Sequence, residues 1–441
     1  MTAVKRWTRR LLGLTAVVLA LVSALLAWAL ASAQVELSPG GVHRRLLVPA
    51  GGGRMMAFPI YSGTGDAVSI PGYLEGPVVR RGSDGGWTAA WFCQDRVQHA
   101  SGRGDALSID CAGRRRRFDL SQVPAAEAVA PMPAALTVLS DLEGNAEFLD
   151  AALPALGIAD AQGRWTYGAG QLLILGDSVD RGRDVSAVLW RLHDLAAQAQ
   201  RAGGAVHMLL GNHEQYLLRT NNSRANPETV YALNRLGGYG EAFADGTVLG
   251  DWLRAQPVAV KLGSTLFVHG GVSRGVAEIE NDPRKLNRAM REYWPASRQG
   301  QHLSSPHWDA VLGLGGVTQY RGYLMAVEGH YGRVGEADLN YALERFGARR
   351  MVVAHTPVDR VEALFGGRLY AVDVNEPGAR SQVLVFENDE PRVVELAVPR
   401  HPDARAPVRL RDFEPSRAED RRLLWAMIGQ ARKLSALPHP Y

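Results

Sequence analysis

Cysteine and lysine are both scarce in this chain of 441 residues, which has two cysteines, Cys93 and Cys111, and four lysines, Lys5, Lys261, Lys285 and Lys433. Two cysteines outside any C-x-x-C spacing exclude a thiolate metal cage and argue against a cysteine nucleophile. They lie close together in one strand-rich stretch, which fits a disulfide formed in an oxidising compartment. The 49 basic residues are therefore almost all arginine, a compositional bias rather than a sign of arginine-specific binding. Long polar tracts are missing too: 46% hydrophobic and 21% charged residues are ordinary globular proportions and exclude extended disorder. A net positive field is also missing once the charges are located. The formal charge is +4, and Lys5, Arg6, Arg9 and Arg10 account for it ahead of the first acid, Glu36. No nucleic-acid partner is expected.

What is present begins with a leader. Leu11 to Leu30 run without a charge and end in Ala31-Ser32-Ala33. A basic start, an apolar core and an A-x-A end form the pattern of an export signal. At about 20 residues the run is also long enough to span a bilayer, so cleavage after Ala33 and retention as an inner-membrane anchor both stand. Either way the remainder is placed in the periplasm or otherwise outside the cytoplasm by the positive-inside rule. Residues 34–130 hold short alternating runs separated by Gly51-Gly52-Gly53 and Asp84-Gly85-Gly86, the texture of a small all-β domain. Within it, Arg114 to Arg117 read as a solvated strand edge or turn. A proline-rich linker leads to a further domain over 131–400. Residues 401–441 form a C-terminal tail whose amphipathic helix, Ser416 to Leu437, packs back on the body.

From Leu136 the pattern changes to continuous apolar runs alternating with helical stretches, such as Val185 to Gln200 and Asp338 to Phe346. Runs of this kind fit strands buried on both faces of a helix-covered sheet, an α/β arrangement. Each run ends in a candidate metal ligand: Asp141 and Glu143 in SDLEGN, Asp177 in GDSVDRG, Asn212 in GNHE, His269 in HGG and His355 in HTP. One carboxylate after a strand means little. Five strand ends delivering Asp, Asp, Asn, His and His in order point to one sheet edge on which the side chains converge.

This series resembles the calcineurin-like metallophosphoesterases, and GDSVDRG with GNHE resembles their phosphoprotein-phosphatase branch, most of all the bacterial Shewanella-like phosphatases. The resemblance spans about residues 136–375 and implies a metallophosphoesterase β-sandwich flanked by helices, here preceded by the small all-β domain. It implies two divalent ions, Mn for preference with Fe, Zn or Mg as alternatives, bridged by Asp177. Asp141 and Glu143 would complete one ion's ligands, and Asn212, His269 and His355 the other's. Phosphate monoesters would be hydrolysed by attack of a metal-bound hydroxide. Arg181 and Arg321 would grip the phosphate with their guanidinium forks. His213 would protonate the leaving group, with Asp180 favouring its imidazolium. The family pattern is D-x-H where this chain has Asp141-Leu142-Glu143, so a carboxylate replaces an imidazole; that harder ligand shifts preference toward Mn or Mg. Asp373, after another apolar run, is placed to support the last histidine. His43, His193, His302, His307 and His330 match no motif and read as surface or packed. The expected partner is a phosphorylated substrate, protein or small molecule. The alternatives are a nucleotide or other small-phosphate hydrolase, and a phosphate-sensing or interaction module impaired through Glu143.

Overall fold

Leu136, Val138, Leu173 and Leu175 alternate along their strands with Leu139, Leu172 and Ile174, and all of them are buried. A strand can bury successive residues only when both its faces are covered, and the computed structural model shows what covers them. It describes residues 2–37, 42–61, 68–298, 305–400 and 409–434. The strands Ala205–Met208, Gln171–Ile174 and Ala135–Leu139 run parallel, and Gln382–Glu387 and Glu390–Glu395 continue that sheet antiparallel. A second, six-stranded sheet is built around Ala259–Leu262, Thr265–Val268, Arg350–Val353 and Leu369–Ala371, with Val129–Ala130 on its far edge. The inner faces share one apolar layer of Leu136, Val138, Leu173, Val260, Val352 and Leu384, and Phe267 meets Phe386 edge-on at 5.9 Å. The outer faces carry helices, among them Ala146–Ala155, Val185–Arg201 and Glu336–Arg345. The chain is thus a mixed α/β protein with a helix-flanked β-sandwich.

The all-β region is present but divides differently from the expected boundaries. Packing separates residues 70–403 from a second unit made of 1–69 and 404–441, so the boundaries at 130 and 400 do not coincide with it. The three-stranded sheet Leu74–Arg81, Gly86–Cys93 and Arg96–Arg103 and the hairpin Ala106–Cys111/Arg114–Asp119 belong with the sandwich. The reason is a large shared core. Trp190 of the helix Val185–Arg201 donates through Nε1 to the carbonyl of Pro77 at 3.1 Å and packs edge-on against Phe118 at 5.3 Å. A Cys93–Cys111 disulfide ties sheet to hairpin.

The other unit pairs the strands Gln34–Leu37, His43–Gly51, Arg54–Tyr61 and Arg409–Asp412 into one sheet. The tail helix, Ala418–Leu434, covers that sheet through Leu423, against Val35, Leu46 and Phe413. The first helix runs Thr2–Ala31, and its Gly13–Ala31 segment, with mean hydropathy 2.4, is long and apolar enough to cross a membrane.

Candidate active site

Asp141, Asp177 and Asn212 follow the parallel strands of the five-stranded sheet, whereas His269 and His355 follow Thr265–Val268 and Arg350–Val353 of the six-stranded one. The expectation of a single sheet edge is corrected here. Carboxylates and amide come from one sheet, imidazoles from the other, and they meet at the seam of the sandwich. Strand-end turns alone would not aim these side chains inward. Asp141, Glu143, Asp177, Asp180, Arg181 and His355 all adopt positive φ, between 45° and 67°, a region costly for residues with a Cβ and concentrated at functional sites. The two carboxylate loops are locked side by side: Glu143 N donates to Asp177 O at 2.9 Å, and Gly182 N donates to Glu143 O at 2.8 Å. The buried Glu214 carboxylate accepts the backbone N–H groups of Asp177, Ser178 and Gly211 at 2.6–3.0 Å, fixing the second and third loops together.

One cavity of about 210 Å³ is walled by Asp141, Glu143, Asp177, Arg181, His213, Arg321 and His355. Of the remaining sequence candidates, His269 Nε2 lies 3.0 Å from Asp177 Oδ2 and 3.2 Å from Asn212 Oδ1, so both join the cluster. Asp180 is fully buried and reaches the cavity only through His213, with Oδ2 2.9 Å from His213 Nδ1. His213 Nε2 is 3.8 Å from Asp177 Oδ2. Arg321 Nη1 donates to the carbonyl of His355 at 2.6 Å.

The donor set fits a metal. His269 Nδ1 donates to the carbonyl of Leu175 at 2.6 Å, which turns the Nε2 lone pair toward Asp177 and Asn212. Three acceptors that close together are stable only around a proton or a cation. Burial lowers the His269 pKa, but the Asp177 charge outweighs it and the pKa is pushed up to about 9. His355 goes the other way; burial, then the neighbouring His269 and Arg321, keep it neutral, the form that ligates. Asp177, His269 and His355 place one ligand atom each within 4.8 Å of one another. On the carboxylate side, Asp141 Oδ2 is buried with no hydrogen-bond partner.

Glu143 is the odd member. Its Oε1 pairs with Arg181 Nη1 at 2.8 Å and its Oε2 accepts from Asn375 Nδ2 at 2.7 Å, so both oxygens are engaged by protein groups. Burial pushes its pKa up to about 8 even though Arg181 opposes this. His213 is pushed up to about 9: burial works against the imidazolium, and the Asp177 and Asp180 charges prevail.

Sequence reasoning missed three contributors. Tyr239 donates its hydroxyl to Asp180 Oδ1 at 3.2 Å. Asn375 holds Glu143, and it follows the run Leu369–Val372 just as the motif residues follow theirs, so the same signal could have found it. Arg400 is buried behind the first loop: its Nη1 donates to Ser140 O at 2.8 Å, its carbonyl accepts from Asn145 Nδ2 at 2.7 Å, and its guanidinium lies over Phe148 at 4.6 Å. Asp373 lines the cavity near Asp141, and its Oδ1 accepts from Asn375 N at 3.1 Å. Of the unmatched histidines, His193 is buried and His307 is exposed and paired with Glu280 at 2.5 Å; His302 lies outside the described residues.

Comparison with known proteins agrees with this geometry. The family model of the calcineurin-like phosphoesterases matches residues 135–359. The crystal structure of a cold-active protein-tyrosine phosphatase from a psychrophilic Shewanella species superposes with a TM-score of 0.67 and 29% identity, covering 73% of this chain and 96% of that one. An uncharacterized Schizosaccharomyces pombe protein is 27% identical over 290 residues, 61% of this chain and 82% of its own. Shewanella-like protein phosphatase 2 of Arabidopsis thaliana is 37% identical over 82 residues, 19% of this chain and 21% of its own. A symmetrical bis(5'-nucleosyl)-tetraphosphatase of an Acidovorax species is 32% identical over 142 residues, 31% of this chain and 44% of its own.

Proposed function

Because the chain belongs to the calcineurin-like phosphoesterase family, we propose that it is an exported, dimetal phosphatase that hydrolyses phosphate monoesters, with phosphorylated protein segments as its substrate class. One observation carries this reading: the seam of the sandwich gathers Asp177, His269 and His355 within ligating reach of one ion, beside a His213–Asp180 pair and two arginines. Asn212 and Asp177 would join the two histidines around one divalent ion, and Asp141 with Asp177 and Glu143 would hold the second; manganese suits this oxygen-rich half. When bound, such ions supply Lewis acidity to phosphate oxygens and acidify an attacking water.

The chain's own residues do the rest. Arg321 is anchored through His355 O and presents its remaining N–H groups to the cavity, where they can hold phosphate oxygens. Arg181 sits opposite on the Glu143 pair and is half exposed, placed to meet the substrate at the mouth. His213 keeps a proton at Nε2, facing the cavity, while Asp180 accepts from Nδ1 and Tyr239 steadies Asp180. That proton passes to the leaving oxygen as the ester bond breaks. The apolar leader and the disulfide support a location outside the cytoplasm.

The test is purified protein loaded in turn with Mn, Fe, Zn and Mg and offered aryl phosphate, phosphopeptides and a dinucleoside tetraphosphate. Turnover of aryl phosphate and phosphopeptide with two ions per chain is expected. A zero rate on every substrate with every metal would leave only the impaired-module reading. The likeness to the tetraphosphatase favours a second reading, a nucleotide hydrolase, and preferential cleavage of the dinucleotide would establish it.

A further inference from the structure

A cavity of about 840 Å³, larger than the one that holds the chemistry, lies elsewhere on the molecule. Its floor is one face of the helix Val185–Arg201, from Asp184 through Ala187, Arg191, Asp194 and Gln198 to Arg201. One wall is the strand Arg114–Asp119, which gives four consecutive arginines, Arg114 to Arg117, all exposed. The sequence alone reads that run as a solvated edge; the fold makes it the wall of a groove.

The charges in the groove are not balanced, because most of its acids are already satisfied. Asp105 pairs with Arg81 at 2.8 Å, Asp150 with Arg191 at 2.8 Å, Asp119 with Arg201 at 3.6 Å and Asp184 with Arg183 at 4.0 Å. Asp194 accepts from the neutral Gln198 amide at 2.9 Å, and among the described residues it and Glu147 are the lining acids without an ion pair. Among the described residues none of the four hairpin arginines has an ion pair within 4.0 Å. Side chains alternate along a strand, so one of the two alternate pairs, Arg114/Arg116 or Arg115/Arg117, turns its guanidinium groups into the groove, unpaired and open to an incoming anion.

Its position ties it to the active site. Ala146 and Glu147 line it within four residues of Glu143, and Asp184 lies three residues beyond Arg181. The loops they continue are joined by the Asp184 N to Gly144 O bond at 3.1 Å. At no more than about 3.6 Å per residue, the groove opens within roughly 14 Å of the cavity. Its floor, 17 residues of helix, is roughly 25 Å long, the span of about seven or eight extended residues.

We propose that the groove between the arginine hairpin and the helix Val185–Arg201 docks an extended, acidic segment of the protein substrate while its phosphorylated residue occupies the metal site. This rests on the phosphoprotein reading above. A concave slot suits a chain better than a flat lipid surface. The lining aromatics Phe118 and Trp190 are buried against each other, which leaves no stacking platform for nucleic-acid bases. Arginine forks match carboxylates in pairs, so several glutamates in a row are the complementary ligand.

The experiment compares kcat/KM for aryl phosphate and for two sets of phosphopeptides. One set carries a run of glutamates beginning about four residues from the phosphorylated residue, on either side; the other carries serines there. The full chain is tested with R114E/R116E and, separately, R115E/R117E, pairs that project to opposite faces of the strand. Wild type is expected to favour the acidic set about tenfold, a preference lost in at least one double variant and weakened by about 0.5 M salt. Aryl phosphate, too small to reach the groove, reports folding and should stay within twofold. Equal rates on acidic and serine peptides, or a preference that survives both variants, would overturn the docking proposal while leaving the phosphatase standing. Aryl phosphate turnover with no phosphopeptide cleavage would instead overturn the phosphoprotein reading. Fluorescence anisotropy with an unphosphorylated glutamate peptide gives a readout free of catalysis; stronger binding to phosphatidylglycerol vesicles than to that peptide would also refute it.

Discussion

Gly211 sits where the two sheets' donors meet, and alanine there should unseat them. Gly211 has φ −86° and ψ −168°, extended backbone open to any residue, so Gly211→Ala introduces no backbone strain. Through the unfolded chain alone the change would stabilise by about 0.4–1 kcal/mol. The added methyl is the whole perturbation. Its carbon would overlap Asp177 Oδ1 and lie 2.8 Å from Asp177 N and 2.9 Å from His269 Nε2. Against an ordinary contact limit of 3.4 Å, the shortfall at Nε2 is 3.4 − 2.9 = 0.5 Å. Neither neighbour can yield freely, since Asp177 N is held by Glu214 and His269 by Leu175 O. Overpacking of this kind costs about 1–3 kcal/mol, here concentrated on Asp177, the aspartate proposed to hold the ions. A displacement of about 1 Å at a reacting centre costs about 100-fold in rate. We expect Gly211→Ala to weaken ion binding about 10- to 100-fold by chelator competition and to lower kcat/KM on aryl phosphate by about 100-fold. Melting should shift by only a few degrees. Gly332→Ala, whose methyl would meet nothing within 4 Å, is the neutral control. Two ions bound with unchanged affinity and normal turnover in Gly211→Ala would show that Asp177 and His269 do not ligate from these positions.

Three further outcomes follow from other parts of the structure. His193, buried edge-on between Trp190 and Trp252 at 5.5 and 5.4 Å, has its pKa lowered to about 4 by burial; it folds neutral, so its contribution is complete above the ordinary value near 6.5 and is lost as pH falls. Denaturant titration should show about 2 kcal/mol less stability at pH 5 than at pH 7.5 from this group, and His193→Gln should remove that share. Asp180→Asn removes one of the charges that hold the His213 imidazolium, so the alkaline limb of the rate profile should move to lower pH. kcat should fall about 100-fold on alkyl phosphates and less on aryl phosphates, which need a leaving-group acid less; an unmoved profile would break the dyad. Cys93→Ser opens a loop closed over 18 residues and should cost about 3 kcal/mol by urea unfolding, with no change in ion stoichiometry.

Much of this was legible because strand ends and ligands share one pattern. Apolar runs marked the buried strands, and the polar residue after each run marked the rim, so two helices, read as Val185 to Gln200 and Asp338 to Phe346 and found at Val185–Arg201 and Glu336–Arg345, and the candidate ligands Asp141, Asp177, Asn212, His269 and His355 could be placed at strand ends from spacing. That pattern does not say which sheet a strand joins. Pairing is a long-range property, so the split of carboxylates and imidazoles between two sheets was hidden. The division of the chain was hidden for the same reason: Trp190 and Pro77 lie 113 residues apart, and nothing local marks their contact.

The residues that escaped sequence reading share a physical character. Arg400 follows no periodic run, yet its buried guanidinium is a fixed cation near Asp141, Glu143 and Asp373, and burial lowers its proton affinity while those acids raise it. A site that substitutes glutamate for the family's histidine gathers one more negative charge than the pattern provides for. The fold answers with Arg181 at Glu143 Oε1, Asn375 at Oε2 and Arg400 behind the loop. Six residues held at positive φ show the same thing in the backbone: each conformation is unfavourable alone and persists because neighbouring loops are bonded to one another. Compensation of this kind is collective. It is distributed over residues 140 to 400, so it becomes visible only when the chain is folded, and Glu143 reads as a defect in the motif until its three partners are in place.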